Sequence, residues 1–207
     1  MTYLELCQRL VRETGIADSG PTSVVGQTGD LRRVTDWIND AWLSIQSSRP
    51  DWLWMWNYAS STISAGTSVV TLPVTIESLE RVRIEDRDLA NVRYDKFAAA
   101  YRSVSEGTPT VWTIRPDGKL IVNAIVDVDT DISYEAYYSP TELSGNIDEP
   151  GMPSRFHMVI VYKALRDYAL FDVAPELERK AVLSYEDLLA DLERDQLHSI
   201  ITPGPIA

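Results

Sequence analysis

The chain is poor in the residues from which most reactive centres are built. It has one cysteine, Cys7, and two histidines, His157 and His198. A lone thiol excludes an internal disulfide and a cysteine-built zinc site, and it fits synthesis in a reducing cytoplasm. Neither histidine has a carboxylate or second histidine four residues on, so local spacing gives no helical metal site. Positive charge is also scarce, with 19 Lys and Arg against 31 Asp and Glu, a net charge of −12. That balance opposes a general grip on a phosphate backbone. An acidic wall repels phosphate, so it suits a surface past which a duplex slides without sticking. No apolar run nears the roughly 20 residues of a membrane helix; residues 158–162 are among the longest. Met1-Thr2-Tyr3 runs straight into a helix pattern, and no signal peptide is expected there.

The motifs that hint at chemistry are incomplete. Gly26-Gln27-Thr28-Gly29 precedes a helix, as phosphate loops do, yet it lacks the P-loop lysine and hydroxyl and the Rossmann glycine triplet. It reads as a loop and helix start. Asp127, Asp129 and Asp131 imitate the opening of a calcium loop, which needs glycine at position six and glutamate at position twelve. Ile132 and Tyr138 stand there instead, so a solvated turn is expected. Glu186-Asp187 and Asp191 with Asp195 lie on the polar face of a long helix. Two carboxylates hydrolyse a glycoside only as a partly desolvated pair, and no such pair can be named. No catalytic residue, cofactor or metal is expected.

What the chain does have is clear periodicity at both ends. Thr2 and Glu5 fit a capping box, and Tyr3, Leu6, Cys7, Leu10 and Val11 recur at helical spacing up to about Gly15. Residues 17–29 read as a loop. Residues 30–48 read as a helix with the stripe Leu31, Val34, Ile38, Ala41, Trp42 and Ile45, ended by Pro50. Pro153 and Pro175 suit the first turns of two further helices, 153–171 and 175–199. The first is apolar nearly all round, as a central helix should be. The second is amphipathic. Residues 200–207, with Pro203-Gly204-Pro205, read as an extended tail.

Between the ends the period shortens. Trp52, Trp54 and Trp56 alternate with Leu53 and Met55, which predicts a strand buried on both faces. Short strands are expected at 62–63 and 69–72, around Ala65-Gly66, and at 79–85, with a short helix at 94–101. Pro116-Asp117-Gly118 joins strands 110–115 and 119–124 by a hairpin turn, because proline fixes one dihedral and glycine accepts positive φ. A third strand, 131–138, follows the acidic turn.

The order helices, strands, helices gives an α+β fold: a helical bundle of two N-terminal helices and a C-terminal helical hairpin, with a central antiparallel β-rich insertion. The expected boundaries are 1–50 for the N-terminal helices, 51–148 for the insertion, 149–199 for the hairpin and 200–207 for the tail. Six tryptophans invite a nucleic-acid reading, but base-stacking platforms come with a basic groove. Trp52, Trp54 and Trp56 are therefore core or subunit-contact candidates.

Three stretches resemble the head–tail adaptor, or connector, proteins of tailed bacteriophages. One is Tyr3-Leu4-Glu5-Leu6-Cys7-Gln8-Arg9-Leu10, with Val34-Thr35-Asp36-Trp37-Ile38-Asn39-Asp40-Ala41-Trp42 and Pro50-Asp51-Trp52. Another is Gly107-Thr108-Pro109 with the Trp112 strand, the Pro116-Asp117-Gly118 turn and Tyr134-Glu135-Ala136-Tyr137-Tyr138-Ser139-Pro140. The last is Pro153-Ser154-Arg155-Phe156-His157, Tyr162-Lys163-Ala164-Leu165, Tyr185 and Leu188-Leu189.

The resemblance implies a virion protein of the head–tail junction, made in the host cytoplasm. It implies a homo-oligomeric ring, dodecameric like the portal, that docks on the portal protein and carries the tail, nozzle or tail-tube protein. Genomic DNA would pass through without sequence-specific binding, and no membrane is involved. The tail residues Ile200, Ile201, Pro203, Pro205 and Ile206 are the portal-contact candidates. Other neck, head-completion or tail-completion proteins are the nearest alternative. A virion-associated cell-wall glycosidase is the alternative from a different class.

Overall fold

A computed structural model describes residues 1–17, 19–101 and 104–197. The fold is α+β, with five α-helices and two sheets among the described residues. The chain divides into two compact units. One joins Met1–Trp54 to the chain from Pro140 onward, and the other is Met55–Ser139. The tail candidates Ile200, Ile201, Pro203, Pro205 and Ile206, and His198, lie outside the described residues.

The first unit is helical: α1 (Tyr3–Thr14), α2 (Gly29–Ser47), α4 (Met158–Phe171) and α5 (Pro175–Gln196). The start of α1 is fixed by a reciprocal cap. Thr2 Oγ1 accepts from the Glu5 N–H at 3.3 Å, and Glu5 Oε2 accepts from the Thr2 N–H at 2.9 Å. Gly15 ends the helix at φ +66°, a left-handed position that glycine takes without a Cβ clash. The buried face of α1 is Tyr3, Leu6, Cys7, Leu10 and Val11, the stripe that the spacing predicts.

Helix α4 packs against α1, α2 and α5. Val159, Ile160 and Val161 are buried in succession, which no amphipathic surface helix allows. Side-chain amides tie the chain entering this half to α2. Gln46 Nε2 donates to Thr141 O at 3.0 Å while its Oε1 accepts from Thr141 N at 3.1 Å, and Asn39 Oδ1 accepts from Leu143 N at 2.9 Å. In α5 only Ala181 and Leu192 are fully buried; Leu183 faces solvent.

The second unit holds the strands. The first sheet has the order β1 (Trp56–Ile63), β8 (Thr130–Tyr138), β3 (Ile76–Ile84), β4 (Arg87–Asp88). The second has the order β2 (Val69–Val70), β7 (Leu120–Val122), β6 (Val111–Ile114), β5 (Ala90–Asn91). Among the named strands β5 and β6 pair in parallel, and an isolated parallel bridge joins Glu106 to Ile125. One core joins the sheets, with Ile63, Val82, Ile132 and Tyr134 from the first and Val70, Trp112, Leu120 and Val122 from the second. Helix α3 (Tyr94–Ala100) buries Phe97. The expected β6–β7 hairpin is present: Gly118 sits at φ +80°, and Arg115 N donates to Lys119 O at 2.8 Å.

The tryptophan run departs from expectation. Leu53–Met55 forms a 3-10 turn, and the strand begins only at Trp56. The rings of Trp52 and Trp54 stack at 4.3 Å and 22°. Two positions along a strand lie about 6.6 Å apart, so the tight turn is what brings these rings into contact. The end of α4 also differs. Leu170 and Phe171 are 54% exposed, although Trp37 and Arg33 of α2 lie against the Phe171 ring.

Candidate functional site

Cys7 is fully buried and burial pushes its thiol up to about 12, so it is an inert core group at neutral pH. His157 is also buried, and its ring is committed at both nitrogens: Nδ1 lies 2.7 Å from the Met1 amino nitrogen and Nε2 3.1 Å from Met152 O. With the proton on Nε2, the ring donates to Met152 O and accepts from the amino group. Burial depresses its pKa, and the neighbouring amino terminus adds to that effect. His157 is thus a satisfied structural histidine.

The acidic pairs on α5 are surface groups. Asp191 pairs with Arg194 at 2.8 Å and Asp195 with Arg155, while Glu186 and Asp187 face solvent. Asp167 is half-buried, and burial raises its pKa against the pull of Lys163 and Arg166. Asp40 adds to that rise, so the group sits among charges of both signs. Among the described residues no cluster of His, Cys, Asp and Glu is arranged to hold a metal ion. No described helix is long and apolar enough to cross a membrane.

The acidic turn ahead of β8 is bound to its own sheet. Asp129 Oδ1 accepts from Ala65 N at 2.8 Å, and Asp131 Oδ1 accepts from Thr62 Oγ1 at 3.0 Å. A cleft of about 460 Å³ opens nearby in the second unit, lined by Glu85, Arg87, Glu106, Asp127 and Val128. All five are exposed, so nothing there is desolvated enough for acid–base chemistry. In the Gly26–Gly29 loop, Gln27 Nε2 donates to Ser23 O at 2.7 Å, tying the loop to itself.

The three candidate tryptophans have three different settings. Trp52 is fully buried and its Nε1 donates to Ile45 O at 3.0 Å. Trp54 is half-buried beside it. Trp56 stands 41% exposed at the start of β1, with Tyr58 two residues on at 53%.

A second aromatic surface went unnoticed in the sequence. Trp37 meets Tyr168 edge-on at 5.7 Å and Phe171 at 5.7 Å, and the Arg33 guanidinium lies 4.7 Å over the Phe171 ring. Leu170 and Val173 are exposed beside Phe171 in sequence, and Val173 has φ +54°, a strained position for a β-branched residue. The available signal was the apolar pattern of α4, which runs on to Leu170 and Phe171.

The described surfaces offer contact areas and no reactive centre. Among families of known proteins, the model of the family described as SU10 adaptor protein matches residues 1–204. No curated protein matches the chain.

Proposed function

The chain belongs to the SU10 adaptor protein family, head–tail adaptors of phage virions rather than enzymes, and from that premise we propose that it forms a ring between portal and tail. The single observation that carries this reading is the family match across residues 1–204. In this reading copies associate head to tail, so that a heterologous contact closes on itself. The ring is dodecameric, it docks on the portal protein, and it carries the tail protein below. Residues 1–50 and 149–199 supply the helical bundle of the ring, and 51–148 the β-rich insertion.

Three features support the proposal. The net charge of −12 suits a channel that DNA traverses without being held. The apolar groups at Trp37, Leu170, Phe171 and Trp56 are of the kind that subunit contacts enrich. The segment from Ile200 and Ile201 through Pro203, Pro205 and Ile206 is uncharged and proline-bounded, which suits a peptide that orders on the portal.

Imaging purified chain mixed with portal-bearing, DNA-filled heads tests the reading. The expected result is a closed ring of added density at the portal vertex and particles competent to receive tails. Heads that bind no chain overturn it. Removing residues 200–207 should abolish attachment, and full attachment by that truncation rejects the portal-contact assignment.

A further inference from the structure

Four strands lie at the edges of the two sheets, and three of them are two residues long: β2, β4 and β5. The fourth, β1, is eight residues long and pairs on one side only, with β8. Its register with β8 is unbroken from Trp56↔Tyr137 to Ile63↔Thr130. Proteins protect sheet edges by shortness, charge, proline or a bulge, because an open row of N–H and C=O groups recruits further strands. Trp56-Asn57-Tyr58-Ala59-Ser60-Ser61-Thr62-Ile63 has none of these protections in a chain that is 24% charged. One local stopper is present: the Tyr58 N–H donates to Asn57 Oδ1 at 2.8 Å, a bond that an incoming carbonyl can replace.

The surroundings of the edge define what fits it. Ala59 packs partly buried against the core and Ser61, also half-buried, shares its face, while Tyr58, Ser60 and Thr62 point to solvent. An added strand therefore needs apolar and polar residues in alternation. At the Ile63 end stand Asp129 and Asp131, hydrogen-bonded to Ala65 N and Thr62 Oγ1, and neither has an ion-pair partner among the described residues. Asp131 lies on β8, across β1 from the open edge, so these carboxylates favour a long lysine or arginine side chain laid over Thr62 from that end of the incoming segment. A second copy's β1 carries no cation to answer them, and every other edge is too short to pair along eight residues.

We propose that the outer edge of β1 accepts an extended segment of the tail protein as an added strand, uncharged along its length and basic at the end beside Asp129 and Asp131. This rests on the adaptor reading, in which residues 200–207 engage the portal and leave β1 for the tail. Backbone hydrogen bonds give such an interaction its affinity, and the alternating side chains give it specificity.

Amide hydrogen exchange of full-length chain tests it in three states: free, bound to portal-bearing heads, and on heads after tails are added. The expected result is that exchange across Trp56–Ile63 slows at least tenfold only when tails are present. The double variant Ser60→Lys with Thr62→Lys changes exposed side chains and should keep the free fold by circular dichroism, load on heads normally, and lower tail attachment at least tenfold. Asp129→Asn with Asp131→Asn should lower attachment by a smaller factor and flatten its dependence on salt. Tails that attach without slowing β1 exchange overturn the proposal and leave the adaptor reading standing. Slowing already on heads alone points to a portal strand, and concentration-dependent slowing in free protein points to a second copy; either result overturns it. Heads that take up no chain overturn the adaptor reading itself.

Discussion

The helical unit and the β unit satisfy their backbones in opposite ways. In the helical unit the two ends of α1 and the 141–143 connection are met within the unit: Thr2 and Glu5 at the start of α1, Gly15 after it, and the Gln46 and Asn39 amides on the 141–143 segment. In the β unit, β8 pairs on both sides, with two irregularities opposite β3, while β1 pairs on one side only. Burial shows the same contrast, since α4 is covered on three sides while one face and one edge of β1 meet solvent. The difference is that the long α4 is enclosed by its own unit, whereas the long β1 keeps an unpaired edge.

Core truncation in each unit is the strongest way to break the comparison. Ile160→Ala and Trp112→Ala remove fully buried side chains, one from each unit. Losses of about 2–5 and 3–5 kcal/mol are expected in urea unfolding. Hydrogen exchange should report the loss chiefly in the unit that carries the change; equal loosening of both units would mean that they unfold as one. Next comes the α1 cap. Thr2→Ala should cost about 1 kcal/mol, whereas an exposed β1 substitution such as Thr62→Val should cost less. No loss at Thr2 would show that α1 is held by packing alone.

A smaller effect, of the opposite sign, comes from backbone strain. Val173 and Glu85 are the non-glycine residues at positive φ among the described residues, one in each unit, at φ +54° and +45°. Val173→Gly should raise stability by up to about 1 kcal/mol, since a β-branched side chain is the more strained there. Glu85→Gly should gain less, and a larger gain at Glu85 would reverse that ranking.

The narrowest effect is confined to mild acid. His157 binds its proton less readily folded than unfolded. The unfolded chain therefore takes up more protons as pH falls below the ordinary value of 6.5, and stability drops there and rises again toward neutrality. His157→Gln should flatten that slope between pH 5 and 7.5 in urea titrations. An unchanged slope would mean that carboxylates carry it.

Features encoded within a few residues were legible from sequence. The Thr2–Glu5 cap, the Pro116-Asp117-Gly118 hairpin, strand β8 and the helix start at Pro175 each carry their own chemistry, and each is present; after Pro153 a 3-10 turn, Ser154–Phe156, comes first and α4 starts only at Met158. Features that depend on distant partners were not. Strand β1 lacks strict alternation, and its partner β8 lies some seventy residues away, so only its ends, Trp56 and Thr62-Ile63, were read as strand. The Ile84–Arg87 turn was missed because Glu85 and Asp86 occupy positions where glycine or asparagine usually announces a hairpin. At Trp52 and Trp54, alternation suggested a strand, and ring stacking in a tight turn prevailed. The tryptophan candidates were found by composition, but the surface around Trp37 and Phe171 depends on how α2 and α4 meet.

The pairing of Trp56 with Tyr137 has a consequence for how the chain is assembled. These residues lie at the two ends of the β unit, and neighbouring strands run only about 4.8 Å apart. Once the unit is folded, its entry and exit points are adjacent, and the helical halves on either side are tethered as if by a short loop. Relative to a flexible connection spanning Met55–Ser139, that saves about 2–3 kcal/mol of closure entropy. The β unit thereby enters and leaves the chain through neighbouring ends, the connection pattern of an inserted domain.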